Sequence, residues 1–570
     1  MATSKTKPNS ALHAAGADRS IAEAEPLRDH DRNTRSRPLV VRALRSAMDA
    51  LRRIPTVFVV VIAVRFLLWI TYPLNFMVTD GPNMYKMLVL GISDLIHAPG
   101  YPFLMGLMWR IPIELGLADN HPTIFNLLLG ASQHAVNIFC LYLGYIVARE
   151  FFGRLPASIF VVLYGLHYHT LTVSSSVTSE WLQGSLFMAL WYLLMRAVRA
   201  HTLGQKTAWY TACGFLFCWM YLVKFNSIAV LTLPALMALY DLWRSRKLAW
   251  VPIASSILTA VVTYAIFVVA FHQPSTGTYA ITLDKGWVFL VKLGFFVPNR
   301  ELSPDTGIAT TRLIVLNNLL PMPKGKGPVR HVDQVPPSER APYREKYLHL
   351  LEADQAELDA LLSEMEIPSP YDFSVAYLPV AHYIGYQEST DLGIAVFLEN
   401  LRRYPRAFVK DAWRLIIHTI VEPQDPWMYP IDLSDRPSKP LKWGYRTLRK
   451  RQMSTNRPVY RFRPPVVWGP GVRFFKLHYE IFRIPTLWIT IVIVGGGLTA
   501  ALALIRRRGD PRSPAVYLAL TLTIALFILF SNLILRFRWK EVQPILPAIC
   551  LLFSVSLVRF SCWLASFDQR

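Results

Sequence analysis

Two carboxylates and three cations stand at the ends of apolar runs in this sequence, where charge is costly unless it is used. Asp80 follows the first apolar run, in TDGPNMYKM. Glu180 opens a later run, in TSEW. Lys224 sits between two runs separated only by VKFN, and Arg536 and Arg538 lie in RFRWK before the last run. A carboxylate so placed can take a proton from a hydroxyl. Lysine and arginine can hold an anion such as a phosphate through charge-assisted hydrogen bonds.

Each residue also has a plainer explanation. Asp80 can be an ordinary loop carboxylate, and Glu180 can complement the positive end of its helix dipole. The HAPGYP stretch over 97–102 can be a turn followed by a helix start. Lys224, Arg536 and Arg538 can be snorkelling anchors. Their side of the membrane decides against decoration, and that depends on the apolar runs.

Of 570 residues, 53% are hydrophobic and only 17% charged, against about a quarter charged in soluble domains. The apolar excess falls in blocks near the roughly 20 residues a helix needs to cross a bilayer. Ten candidate spans result: 56–73, 123–147, 156–173, 180–196, 207–222, 226–242, 249–271, 484–505, 515–534 and 541–560. The expected fold is an all-α polytopic membrane protein with outer-face juxtamembrane helices and a mainly helical extracytoplasmic insertion. The net charge of +22 then reflects topology signals and lipid phosphates. With no zinc finger, phosphate loop or RNA-binding signature, no nucleic-acid partner is expected. The five cysteines all fall in or beside apolar runs, so no disulfide framework is expected.

The arginine-rich start places the N-terminus in the cytoplasm, and four short basic loops (149–154, 196–206, 244–247, 506–512) then all fall inside. Counting 101–118 as a span would put all four outside. With Arg110 and Pro112 in its middle, it reads instead as a juxtamembrane or half-inserted helix on the outer face. Both termini are then cytoplasmic. All five charged residues share the outer rim, which short-loop Lys and Arg usually avoid.

The expected organisation is a disordered tail over 1–37, an interfacial amphipathic helix over 38–55, and an N-terminal membrane module over 56–271. That module carries an outer loop at 74–122. An extracytoplasmic domain follows over 272–483, then C-terminal spans over 484–562 and a short tail over 563–570. Within the insertion, 343–366 has helical spacing, 391–404 and 405–421 divide at Tyr404-Pro405, and 427–476 is Pro-rich, aromatic and basic.

A carboxylate after the first span, then APGYP leading into an apolar segment, resembles the GT-C superfamily of polyprenyl-phosphate-sugar-dependent glycosyltransferases. The closest patterns are those of dolichyl-phosphate-mannose protein mannosyltransferases, of family 39 type, the lipid A aminoarabinose transferases and rhizobial-type lipopolysaccharide sugar transferases. SSVTSEWLQGSLF, LVKFNSIAVL, ENLRRYPRAFVKDAW and NLILRFRWKEVQPILPAI resemble further segments of that family. The resemblance implies a bacterial inner-membrane or plasma-membrane enzyme of the cell envelope. It would move a sugar from a polyprenyl phosphate to a hydroxyl on a lipid, glycan or protein acceptor. Asp80 would be the base, with Glu180 as acceptor-binding group or helper. Lys224, Arg536 and Arg538 would stabilise the donor phosphate. Tyr85, His97 and Tyr101 would contact substrate, unless the tyrosines belong to an interfacial aromatic belt. Some relatives pair two acidic residues where this chain has only Asp80, which leaves a divalent cation possible but unsupported and no metal ligand assigned. The competing class is a lipid-linked-sugar transporter or flippase, against which stands the lack of an inverted repeat.

Overall fold

A chain inside a bilayer has no water to satisfy its backbone N–H and C=O groups, so apolar runs of spanning length must be helical. In the computed structural model they are. The structure describes residues 55–71, 100–175, 178–245, 250–276, 279, 289–290, 292–293, 307–321, 337–365, 379–421, 486–506, 512–534 and 544–567. The chain divides into Met1–Thr56, of which only Pro55 and Thr56 are described, and Val57–Arg570, to which the rest belongs. Among the described residues there is no strand.

The first helices are α1 (Thr56–Thr71), α2 (Gly100–Glu114), the single turn α3 (Leu117–Asn120) and α4 (Pro122–Phe152). Next come α5 (Arg154–Gly165), α6 (Tyr168–Ser174), α7 (Glu180–Arg199) and α8 (Leu203–Val223). A 3-10 segment over Phe225–Leu231 leads into α9 (Thr232–Ser245), and α10 (Trp250–Phe267) follows, ending in a π-helical turn over Val268–His272. The C-terminal membrane helices, after the insertion, are α16 (Thr486–Ile505), α17 (Arg512–Ile534) and α18 (Leu546–Phe567). Helix thus occupies each of the ten candidate stretches. Among the described residues, four segments are long and apolar enough to cross a membrane: Leu127–Phe152, Trp250–His272, Arg512–Ser531 and Leu546–Trp563.

α8 packs between α7 and α10, α4 between α5 and α7, and α18 against α5. α10 leaves Ile257, Leu258, Val261, Ile266 and Val269 exposed, a surface suited to lipid rather than water. α7 begins with Glu180 and ends with Arg196 and Arg199, charges that match the two ends of its dipole. Arg199 also pairs with Glu150 on α4.

Two expected spans are interrupted. The run over 156–173 breaks at Leu166–His167 between α5 and α6, and the run over 226–242 opens as a 3-10 segment. The segment expected as a juxtamembrane helix is α2, which carries Pro112 inside it and an exposed Arg110–Glu114 pair. The turn between it and α3 holds Gly116, whose φ of 71° suits glycine.

The insertion has its own core, built by α11 (Ile308–Leu319), α12 (Pro337–Glu352), α13 (Gln355–Ser363), α14 (Tyr386–Arg403) and α15 (Pro405–Val421). Leu313, Ile314, Leu350, Leu358, Ile384 and Val396 lie at its centre. The single helix expected over 343–366 is two. Asp354 caps α13, its side chain accepting from Glu357 N at 2.9 Å, so the chain restarts there instead of continuing. The division at Tyr404-Pro405 falls where the sequence places it. Lys292 and Asp411, both buried, bond at 2.9 Å and tie the start of the insertion to α15. Burial pushes the Lys292 ammonium below its ordinary pKa, while the Asp411 hydrogen bond raises it.

The expected tail and interfacial helix over 1–55 lie outside the described residues, save Pro55. So do the basic stretch 427–476 and five of the expected site residues: Asp80, Tyr85, His97, Arg536 and Arg538.

Candidate active site

Three of the expected residues, Tyr101, Glu180 and Lys224, come together at one end of the bundle. α8 ends at Lys224, where the backbone turns extended (φ −163°) before the 3-10 segment. That turn projects the ammonium toward the first residue of α7, and Lys224 Nζ donates to Glu180 Oε1 at 2.7 Å. The carboxylate is 4% exposed and the ammonium side chain 22%, so the pair is enclosed on the glutamate side and open on the lysine side. Ser179 Oγ donates to the other carboxylate oxygen at 3.4 Å.

The Gly100-Tyr101 start of α2 is built against this pair. A Cβ on Gly100 would stand 2.5 Å from the Leu222 carbonyl carbon and 2.7 Å from Val223 N. Only glycine lets α2 touch the backbone just before Lys224. Tyr101 is fully buried. Its ring meets the Trp181 indole edge-on at 6.1 Å, and its hydroxyl donates to Gln133 Oε1 at 3.4 Å. Its ring therefore acts within the wall of the site. Phe103 follows, against Trp219, Phe267 and Phe271. The Gly-Tyr-Pro-Phe order thus has a packing reason, and the packing fixes the neighbourhood of Glu180 and Lys224.

Gly100→Ala forces backbone apart from backbone, a strain of about 1–3 kcal/mol typical of overpacking. Its expected result is a lower unfolding temperature in detergent and a displaced Lys224 hairpin. Unchanged unfolding would mean that α2 does not make this contact.

Behind the pair lies a polar interior that the sequence reading did not single out. Gln183 Nε2 donates to Asn226 Oδ1 at 2.9 Å and to Ser227 Oγ at 2.7 Å. Asn137 Nδ2 donates to Ser185 Oγ at 2.8 Å. Gln133 Nε2, Thr170 Oγ1, Ser174 Oγ, Thr178 Oγ1 and Gln183 Oε1 are buried without a hydrogen-bond partner among the described residues. A dry, unmet polar atom costs about 1–3 kcal/mol, so these groups call for water or another polar partner.

Arg65, in the middle of α1 and 1% exposed, anchors this interior. Its Nε donates to Gly165 O at 2.9 Å, meeting a carbonyl left over where α5 stops. Its Nη1 lies 3.4 Å from His134 Nδ1, and His134 Nε2 lies 3.4 Å from Ser175 Oγ. Arginine only donates, so Nδ1 accepts and Nε2 carries the proton toward Ser175. Gly165 is again required by close approach, since a Cβ there would stand 2.8 Å from Val61 Cγ1. A lone arginine inside VFVVVIAVRFLLWI was the available signal, because intramembrane charges are costly and seldom incidental.

Arg65→Lys is expected to destabilise more than Arg65→Met, by about 1–3 kcal/mol. Lysine retains a buried charge without the planar fork that reaches both partners, whereas methionine removes the charge. Thermal unfolding of the two variants would test this, and the reverse order would contradict it.

Among the described residues no group of three His, Cys, Asp or Glu could hold a metal ion. No protein-family model matches this chain, and no curated protein matches it. Two solved structures are similar to it. ArnT from Cupriavidus metallidurans in the apo state has a TM-score of 0.31 and 12% identity, over 84% of this chain and 77% of that one. The same protein bound to undecaprenyl phosphate has a TM-score of 0.30 and 12% identity, over 83% and 77%. Likeness at that level assigns neither a family nor a reaction: what this chain is, on its own evidence, is an all-α polytopic membrane protein.

Proposed function

We propose that this protein is a membrane glycosyltransferase that moves a sugar from a polyprenyl-phosphate donor to an acceptor hydroxyl on the extracytoplasmic face. The observation that carries the reading is the Glu180–Lys224 pair at 2.7 Å, set beside the Gly100-Tyr101 start of α2. These are three of the segments on which the family resemblance rests. The polar interior around them suits a hydroxyl-rich ligand.

In this reading the phosphate leaves as an anion, so the reaction needs cations at the phosphate more than an acid at the leaving group. Lys224 supplies one, aligned by Glu180, with Arg536 and Arg538 as the others. Asp80 takes the acceptor proton as the oxocarbenium-like centre forms. Glu180 is engaged by an ammonium, which suits it to orienting Lys224 and the acceptor more than to accepting a proton. Tyr85 and His97 contact substrate, and Tyr101 supports the wall. The 272–483 insertion stands over this face as a separate domain, and the membrane is the bacterial inner or plasma membrane.

The test is reconstitution in proteoliposomes with a radiolabelled polyprenyl-phosphate sugar. Label appearing on lipid, glycan or protein acceptors supports the reading. Label crossing the bilayer while still attached to its polyprenyl phosphate would make the protein a flippase instead.

A further inference from the structure

Helix α15 leaves one apolar stripe uncovered. Asp411, Ala412 and Leu415 are buried against the rest of the molecule. Val409 and Trp413 are 64% and 63% exposed, and Ile417 is exposed as well. Steps of four residues align these three on one face of the helix. Soluble surfaces rarely leave such a stripe open.

What covers it follows from its neighbours. α15 packs against α16 and α17, and Arg512–Ser531 of α17 is of membrane-crossing length and composition. The outward residues of α16, among them Ile491, Val494 and Leu498, are exposed and apolar too. The stripe therefore belongs to a helix that packs directly on helices apolar enough for a membrane. One flank is basic: Arg406 and Lys410 are exposed along the same side of α15, and Arg402 is exposed at the end of α14. The one acidic residue of α15, Asp411, is buried and paired with Lys292 and with Arg414. A helix with an aromatic-aliphatic stripe and a cationic flank lies in a membrane interface, apolar face among the acyl chains and cations at the headgroups.

We infer that α15 is an interfacial helix that seats the insertion on the outer leaflet and gathers anionic phospholipid headgroups along Arg402, Arg406 and Lys410. The choice of leaflet rests on the extracytoplasmic placement of the insertion proposed above. The lipid contact does not depend on the transfer reaction. α14 and α15 join at Tyr404, so a lipid-seated α15 holds the α14 end of the insertion core at a fixed height above the bilayer.

The test uses the full chain, with Cys562→Ser to remove the exposed thiol. It is reconstituted in phosphatidylcholine vesicles with and without phosphatidylglycerol. Spin labels at Val409→Cys, Trp413→Cys and Ile417→Cys should collide with dissolved oxygen far more than with a water-soluble nickel chelate. A label at Arg402→Cys should show the opposite preference. Phosphatidylglycerol retained through mild detergent extraction should fall about fivefold for each cation removed in Arg406→Gln and Lys410→Gln. Stripe labels that meet the nickel chelate as readily as Arg402→Cys would place the stripe in water. Labels shielded from both reagents would mean that a second copy or another protein covers it. Equal phosphatidylglycerol retention by parent and variants would remove the headgroup part. Loss of transfer activity with the collision pattern intact would leave this inference standing.

Discussion

Asp80→Asn is expected to leave the protein inserted and helical while sugar transfer falls by about two to four orders of magnitude, the range lost with a general base. The amide keeps the size and hydrogen-bonding reach of the carboxylate but cannot accept the hydroxyl proton at working pH. The loss should therefore appear in kcat, with donor affinity nearly unchanged. The second carboxylate gives the contrast. Glu180 is tied to Lys224 at 2.7 Å, so Glu180→Gln should alter donor binding together with turnover and cost less overall. Single-turnover transfer, with donor binding measured separately, distinguishes the two. Near-parent turnover by Asp80→Asn would move the base elsewhere, with Glu180 the next candidate.

The helical architecture was legible because lipid leaves a long apolar run one way to satisfy its backbone. Helix lies in each membrane stretch the sequence marks, and the Tyr404-Pro405 division is visible because proline suits a first helical position. The breaks were not legible. The apolar run is interrupted at Leu166–His167, where Arg65, a hundred residues earlier, meets the Gly165 carbonyl. No local pattern encodes that contact. The same holds for the interior: Gln133, Gln183 and Asn226 are isolated polar letters in apolar runs. Only packing shows that Gln183 bonds Asn226 while Gln133 meets Tyr101. Topology gathered Glu180 and Lys224 on one rim, but their pairing depends on the angle at which α8 ends against the start of α7. Glycine in APGYP read as punctuation, whereas its reason is the Leu222–Val223 backbone it touches.

The Glu180–Lys224 pair supplies the other large expected effect, and its asymmetry makes it informative. Lys224→Gln takes the ammonium away from a carboxylate that is 4% exposed, and losing such a charge-assisted contact costs about 1.5–3 kcal/mol. Glu180→Gln takes the carboxylate away from an ammonium that still reaches solvent at 22% exposure, so its cost should be smaller. The double variant Glu180→Gln/Lys224→Gln removes both charges and leaves two amides able to hydrogen-bond. Its stability should recover most of what Lys224→Gln loses, a coupling seen as non-additivity in a double-mutant cycle. Donor binding follows a different pattern. If Lys224 contacts the phosphate, every variant without it loses a charge-assisted contact of about 1.5–3 kcal/mol, or roughly ten- to a hundredfold in affinity. Restored stability does not bring that affinity back. A folded double variant with weak donor binding identifies Lys224 as a ligand-binding cation. A folded double variant that binds polyprenyl phosphate like the parent would reduce the pair to a structural strut. The phosphate contact would then belong to Arg536, Arg538 or neither.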